Sequence, residues 1–237
     1  REFFSERDVV NEERRMGEAN PQSVLWTSFM NNSYIAAPVR WSIIGWTSDI
    51  MNVMPEEVMS YYREYYIPQR CVIVMVGDVY PDKDFELIKK YFGRWEERES
   101  PTFRLTREPE QKGIRRAHVN FQASPQMMIG FHGPYLGEDE YYAATILASA
   151  LSTGNSSIFE KTLVKNGVVS DLSGYVEGWE GKAKSLIGIS GYPMEGIGYD
   201  RMEEEIFSLL DSLGENGISE KDLRRAKNNY KMDLLSR

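Results

Sequence analysis

The chain has 237 residues and a formal net charge of −8, with 41 % hydrophobic and 27 % charged residues. This composition is typical of a globular protein, and the length allows one large domain or two modest ones. The acidic balance and the lack of a basic run argue against a nucleic-acid surface. No apolar stretch approaches the ~18 residues of a membrane span.

The chain begins with Arg1 rather than methionine, and no signal-like segment follows, so we expect it to be part of a longer polypeptide. The single cysteine, Cys71, lies in an apolar run, which predicts a buried small hydrophobe rather than a reactive thiol. One cysteine allows no internal disulfide and leaves the redox compartment open.

The first 54 residues predict two helices and a loop. Ser5, with Asp8 three residues later, forms a capping-box pattern that predicts a helix start. The helix is expected to break near Asn20 and Pro21, because the residue before a proline disfavours helical geometry. A second helix is predicted over residues 22–32, and an ordered loop over residues 33–54.

Residues 55–113 predict a helix, a strand, a helix and a linker. Pro55 is tolerated in the first turn of a helix over residues 55–66. The apolar run 71–79 predicts a buried strand. Residues 81–93 predict a helix ending at Gly93, and the charged segment 94–113, which contains two prolines, predicts a linker.

The remainder predicts a mixture of strands and helices. Strands are predicted over residues 116–122, 126–133, 168–178 and 183–192, and helices over residues 138–151, 158–166, 199–217 and 219–236.

The segment that begins at Ser5 recurs in kind at Ser219, 214 residues later. Both segments read Ser-Glu-basic-Asp and both are predicted to cap a helix. Two independent capping boxes explain this as well as a duplicated domain of about that length does.

Two carboxylates on the first predicted helix are candidates for chemistry. Glu6 and Glu13 are seven residues apart, close to two helical turns, so both project from one face. Val9, Val10 and Met16 lie on or beside that face. Carboxylates on an apolar face need a cation, a hydrogen-bond network or a metal. The alternative is a frayed terminal helix with solvated glutamates.

Other candidate side chains are better explained structurally. His118 and His132 lie on separate predicted strands, outside any HExxH or HxxEH motif. Ser156 and Ser157 lie in a glycine-containing loop, where a helix N-cap is the better explanation for either of them.

Five stretches in chain order resemble the M16 peptidases, the group of pitrilysin, insulinase and the mitochondrial processing peptidase. They are SERDVVNEERRMGEANP, PVRWSIIGWTSDI, PEEVMSYYREYYIPQRCVIVMVGDV, IKKYFGRW and DEYYAATILASALSTGNSSIFEKTLVKNG. The resemblance implies an α+β fold of mixed, largely antiparallel sheets flanked by helices, in duplicated domains. It places the end of a first, metal-binding domain in residues 1–110 and the start of a second, substrate-enclosing domain in residues 111–237.

The resemblance also implies a site. In this family two histidines of an HxxEH motif and one distant glutamate bind Zn²⁺, and that glutamate matches Glu13. Glu6 matches a second acidic position that supports the catalytic site. The HxxEH helix is absent from this chain, and a final helix and strand are expected after Arg237. The fragment alone is therefore expected to be inactive and to bind no zinc tightly, because one carboxylate is too few ligands.

The second half departs from the catalytic pattern. The duplicated counterpart of Glu13 is Lys227, which cannot replace a metal-binding carboxylate. Family members often carry a substrate-contacting arginine and tyrosine, and by the alignment around Gly167 these positions fall on Leu163 and Ser170. The departure puts substrate clamping, and with it activity, in doubt.

Three hypotheses follow. The first is that the intact protein is a zinc-dependent endopeptidase of peptides or unfolded polypeptides, with a peptide substrate and a second M16 subunit or a homodimer as partners. The second is a non-catalytic family member acting as a partner or regulatory subunit, and the third is an unrelated α/β binding protein. The sequence style is bacterial; it does not determine a compartment, and a periplasmic location is one option.

Overall fold

The computed structural model describes residues 2–236 and divides into two compact units. Unit 1 comprises residues 1–16 and 43–104, and unit 2 comprises residues 17–42 and 105–237. The assignment of residues 1–110 and 111–237 to duplicated domains remains a prediction.

Helices and an antiparallel sheet together confirm the predicted α+β class. The helices are α1 Glu2–Glu18, α2 Pro21–Ser33, α3 Thr47–Asn52, α4 Pro55–Tyr65, α5 Pro81–Phe92, α6 Asp139–Ser152, α7 Tyr199–Asn216 and α8 Glu220–Ser236. The strands are β1 Met127–His132, β2 Val169–Trp179 and β3 Ala183–Pro193. Short helical turns occupy Pro38–Arg40, Pro68–Arg70 and Glu160–Val164.

The sheet of unit 2 is antiparallel, in the order β1-β3-β2. In the register, Ile189 of β3 lies opposite Ile129 of β1 and Gly174 of β2. A strand that is paired on both edges and covered on both faces favours a nearly continuous apolar sequence. The centre of β3 has this character, with Leu186 and Ile189 almost fully buried.

One apolar cluster joins the sheet to the helices that follow β1. Its buried members are Ala150, Leu151, Ile158, Phe159, Leu163, Val168, Val169, Leu172, Ile189, Met202, Ile206 and Ala226. These residues come from every predicted element between residues 138 and 236, which confirms that those elements pack as one body.

Helix α2 contributes to a second apolar cluster, with Met30, Tyr34 and Ala37 against Ala183 and Leu186 of β3. The Tyr34 hydroxyl donates to the Lys184 carbonyl oxygen at 2.8 Å, and its ring stacks on His132 at a centroid distance of 4.8 Å. The segment 17–42, which the sequence assigns to the first half, therefore packs with the sheet of the second half.

The junction between α1 and α2 confirms the predicted break. The Asn20 side-chain oxygen accepts hydrogen bonds from the backbone of Gln22 and Ser23, at 2.9 and 3.2 Å, so Asn20 is the N-cap of α2. Pro21 occupies the first helical turn, where its missing N–H is not needed.

The two predicted capping boxes have different outcomes. The Ser219 hydroxyl accepts from the Asp222 backbone N–H at 3.1 Å, which confirms the cap of α8. Ser5 does not cap, because α1 already runs from Glu2. The repeat therefore loses the support of equivalent caps.

Other boundary predictions before residue 94 are mixed. Pro55 begins α4 and Gly93 ends α5, as predicted. The predicted loop 33–54 is wrong in part, because its own residues form the turn Pro38–Arg40 and helix α3.

Two predicted strands are not observed. Residues 71–79 lack strand pairing among the described residues, and Cys71, predicted to be buried, is exposed. Residues 116–122 form no strand either, and Arg116 instead pairs with Glu203. A segment with a strand pattern becomes a strand only when a neighbour supplies the other half of each hydrogen bond. Among the described helices, none is long and apolar enough to cross a membrane.

Glu108, which the sequence placed in a linker, anchors that linker to the turn after α2. Its buried carboxylate accepts from the backbone N–H groups of Ile35, Ala36 and Ala37 at 2.8 to 3.1 Å. Arg115 lies 3.8 Å from the same carboxylate and donates to the carbonyl oxygens that end α2. Burial by itself raises the pKa of Glu108, but the three N–H groups and the charge of His132 outweigh it and lower the pKa.

Glu108→Gln should lower the free energy of unfolding by about 1–3 kcal/mol at pH 7, because the amide cannot replace a carboxylate that accepts several N–H bonds. A folded-state pKa below the ordinary value means that the ionised carboxylate stabilises the fold above that ordinary value. The contribution is lost as the pH falls through the lowered pKa.

Urea denaturation followed by circular dichroism between pH 7 and pH 3 measures both effects. The exposed neighbour Glu110 provides the control Glu110→Gln. Equal stability of the two variants at pH 7 would contradict the anchor.

Gly191→Ala should destabilise the sheet by about 1–3 kcal/mol, because an added Cβ would lie 2.2 Å from the Asp171 backbone oxygen of β2. Gly214 lies in helix α7 with nothing within 4 Å of an added Cβ. Gly214→Ala is therefore the matched control and should be neutral or stabilising by up to about 1 kcal/mol. Urea midpoints that shift equally for the two variants would rule out the proposed clash.

Candidate metal-ligand helix

One side of α1 is held against residues 43–52 of unit 1 by arginines. Arg7 donates to the Met51 carbonyl oxygen at 3.1 Å. Arg14 donates to the Gly45 carbonyl oxygen and the Thr47 hydroxyl, each at 3.0 Å, and lies over the Trp46 ring. Asn11, on the same side, is buried. These contacts fix the orientation of α1 within unit 1.

Glu6 and Glu13 project from another side of α1, and both are exposed. Val9 and Met16, beside them, are exposed as well. In the observed helix both carboxylates share a face with apolar side chains, as the spacing predicts. A buried setting for that face is not observed within the described residues.

The described residues contain no group of three or more His, Cys, Asp and Glu side chains that could hold a metal ion. Glu13 is chemically suited to be one oxygen ligand of zinc, since it is exposed on a regular helix. It makes no hydrogen bond or ion pair within the described chain, so its carboxylate is available to a ligand set completed from elsewhere.

The two histidines have different environments. The His132 Nε2 atom lies 2.9 Å from the Ser33 carbonyl oxygen, beside the stacked ring of Tyr34, so its role is structural. His118 is exposed and lies outside any strand.

The glycine-serine loop is fastened to the start of α8. Ser157 accepts from the Glu160 backbone N–H at 3.3 Å, which confirms its predicted capping role. Arg225 donates to the carbonyl oxygens of Ser156 and Ala150 and to the Asp222 carboxylate.

Hydrogen bonds from the Ser219 hydroxyl, from Lys161 and from Arg225, with the charge of Lys161, lower the pKa of Asp222 to about 2. The sequence did not reveal this network beyond Ser219 and Asp222, because Lys161 and Arg225 are brought to it by the fold.

The residues that depart from the catalytic pattern lie in different surroundings. Leu163 is 3 % exposed within the first apolar cluster, so its side chain is part of the core and is not presented to a substrate. Ser170 is exposed on β2, and its hydroxyl lies 3.4 Å from the Tyr192 carbonyl oxygen. Lys227 is exposed on α8.

The chain matches the family described as the Peptidase M16 inactive domain over residues 52–230. It is 31 % identical over 242 residues to the zinc protease PqqE of Helicobacter pylori, covering 99 % of this chain and 54 % of that protein. It is 24 % identical to the zinc protease YmxG of Bacillus subtilis, covering 99 % of this chain and 56 % of that protein.

Solved structures agree. A protease from Helicobacter pylori superposes with a TM-score of 0.88 at 30 % identity, over 99 % of this chain and 57 % of that one. An M16-like peptidase from Alicyclobacillus acidocaldarius shares the fold, with a TM-score of 0.78 at 22 % identity, over 99 % of this chain and 56 % of that one. The chain spans about half the length of the relatives it matches. With its sequence match, its relatives and its fold in agreement, the chain belongs to the M16 peptidase family.

Proposed function

We propose that this chain is part of a zinc-dependent metalloendopeptidase that hydrolyses peptides or unfolded polypeptides. The observation that carries the proposal is Glu13, an available carboxylate on an exposed helix face of an M16 chain whose relatives are named zinc proteases. The polypeptide of which this chain is part is called the intact protein below.

Glu13 supplies one anionic zinc ligand in this proposal, and the two histidines come from an HxxEH helix outside this chain. Zinc held there by Glu13 and those histidines would supply Lewis-acid chemistry, acidifying a coordinated water and polarising the peptide carbonyl. The contacts of Arg7 and Arg14 hold α1 in place, so Glu13 is presented from a rigid element rather than from a loop. Glu6, two turns before it, supports the site by accepting a hydrogen bond from a ligand or a water.

The second half encloses the substrate without binding metal. In the predicted repeat the position that corresponds to Glu13 is Lys227, whose ammonium group repels a cation. The chain alone is therefore inactive in this proposal. The partners are a peptide substrate and a second M16 subunit or a second copy.

Glu13→Gln in the intact protein should remove most of the bound zinc and the peptidase activity, since a neutral amide is a much weaker zinc ligand than a carboxylate. Glu6→Gln should cost about 10–100-fold in activity, the range expected for a supporting residue. The measurements are zinc content by elemental analysis and cleavage of a peptide mixture, with and without a chelator.

Glu12→Gln is the matched control, because Glu12 lies on a different side of α1 and, among the described residues, makes only an exposed ion pair with Arg15. Equal cleavage by the wild type, the chelated wild type and Glu13→Gln would refute the proposal.

A non-catalytic partner subunit is the second candidate. It is supported by Ser170, an exposed residue at a position where the family often has a substrate-contacting side chain. This candidate requires a degenerate HxxEH motif in the intact protein, so an intact motif would exclude it.

A further inference from the structure

The connector, residues 94–116, is fastened at both ends. On the unit 1 side, Arg70 donates to the Ser100 hydroxyl at 2.9 Å and to the Pro101 carbonyl oxygen at 2.8 Å. The Arg70 guanidinium also lies over the Phe103 ring, 4.6 Å from its centroid. These contacts hold the first arm of the connector on unit 1.

The second arm of the connector is held on unit 2 by charged side chains. Glu108, whose side chain is 6 % exposed, is bonded to the turn after α2. Arg115 donates to the two carbonyl oxygens that end α2. Arg116 donates to both carboxylate oxygens of Glu203 on α7, at 2.5 and 2.6 Å. This arm therefore belongs to unit 2.

Residues 104–107, Arg-Leu-Thr-Arg, lie between the two arms. All four are exposed and lie outside any helix or strand. Within the described part of the chain, no hydrogen bond or ion pair involves them. The boundary between the two units falls between Arg104 and Leu105. An exposed segment without secondary structure or hydrogen bonds is the kind of place where a folded protein is nicked by a protease.

The two pieces that a cut here produces share one packed body. Residues 17–42 precede the cut but belong to unit 2. Met30 of α2, which is buried, lies in one apolar cluster with Leu186 of β3. The Gln22 side-chain nitrogen donates to the Tyr192 hydroxyl at 2.7 Å. The piece that contains α2 is therefore held by the sheet of the other piece.

We propose that residues 104–107 are a proteolytic processing site, cut after Arg104 by an arginine-specific endopeptidase, and that the two resulting chains stay joined through α2. Water adds across the Arg104–Leu105 peptide bond. The C–N bond breaks, the carbonyl carbon takes the water oxygen to become the carboxylate of Arg104, and the nitrogen takes the protons to become the amino group of Leu105. The site does not depend on the peptidase activity proposed above.

The structure favours Arg104 over Arg107 as the position of the cut. The bond after Arg107 joins it to Glu108, whose carboxylate is fixed by three backbone N–H groups. The anchor nearest to Arg104 is the Phe103 ring, which is 57 % exposed. A protease must draw the residues on both sides of the bond into its cleft, so the bond beside the weaker anchor opens more easily.

Limited digestion of the intact protein with an arginine-specific endopeptidase tests the proposal, and a sample without the added protease controls for self-cleavage. We expect one early cut, with Leu105 as the new amino-terminal residue by mass spectrometry. Both chains should elute together in size-exclusion chromatography until urea is added. Arg104→Lys should slow the cut at least about 10-fold, because the charge is kept while the guanidinium is lost. The matched control Arg107→Lys should leave the rate unchanged.

A first cut at any other bond, Arg107–Glu108 included, would overturn the processing site. Chains that separate without denaturant would overturn their joining through α2. Neither readout requires the intact protein to cleave anything. An intact protein that is cut as expected but hydrolyses no peptide would therefore support this proposal while refuting the proposed function.

Discussion

Unit 2 depends on the central position of β3. This strand pairs with β1 along one edge and with β2 along the other, and both of its faces are covered by apolar side chains. Its register with β1 and β2 places Ile189 and Leu186 on the two apolar clusters, one with the helices that follow β1 and one with α2. A one-residue slip of β3 would exchange its two faces and disrupt both clusters at once. This explains why the helices around the sheet, and α2 with them, form one body even though they are distant in sequence.

Most helices of the chain were predictable because their signals are local. The structure confirms the helix ends that were predicted at Pro55, at Gly93, at Asn20 and Pro21, and at Ser219. Strand predictions held where a neighbouring segment pairs with the strand, as in the β2–β3 hairpin. The run 71–79 has an equally strong strand pattern, but pairing is a property of two segments, and a single segment does not reveal whether the other is present.

The candidate site was predictable in part. Helical periodicity places Glu6 and Glu13 on one side of α1, and the structure retains that arrangement. The exposure of that side could not be inferred, because Arg7 and Arg14, rather than the apolar residues, make the contacts of α1 with residues 43–52. Glu108 was missed for a different reason: no periodicity or motif marks a carboxylate whose partners are three backbone N–H groups some 70 residues earlier.

The packing of α2 on β3 also sets an order of events during synthesis. Tyr34 and Lys184 are 150 residues apart, and Gln22 and Tyr192, whose side chains are hydrogen-bonded, are 170 residues apart. A ribosome that adds about 5–20 residues per second leaves the apolar side of α2 without its strand for roughly 8 to 30 seconds. Throughout that interval the residues of α2 that pack on β3 are without their partners. Unit 2 therefore cannot mature stepwise from its amino-terminal end and must wait for the β2–β3 hairpin to emerge.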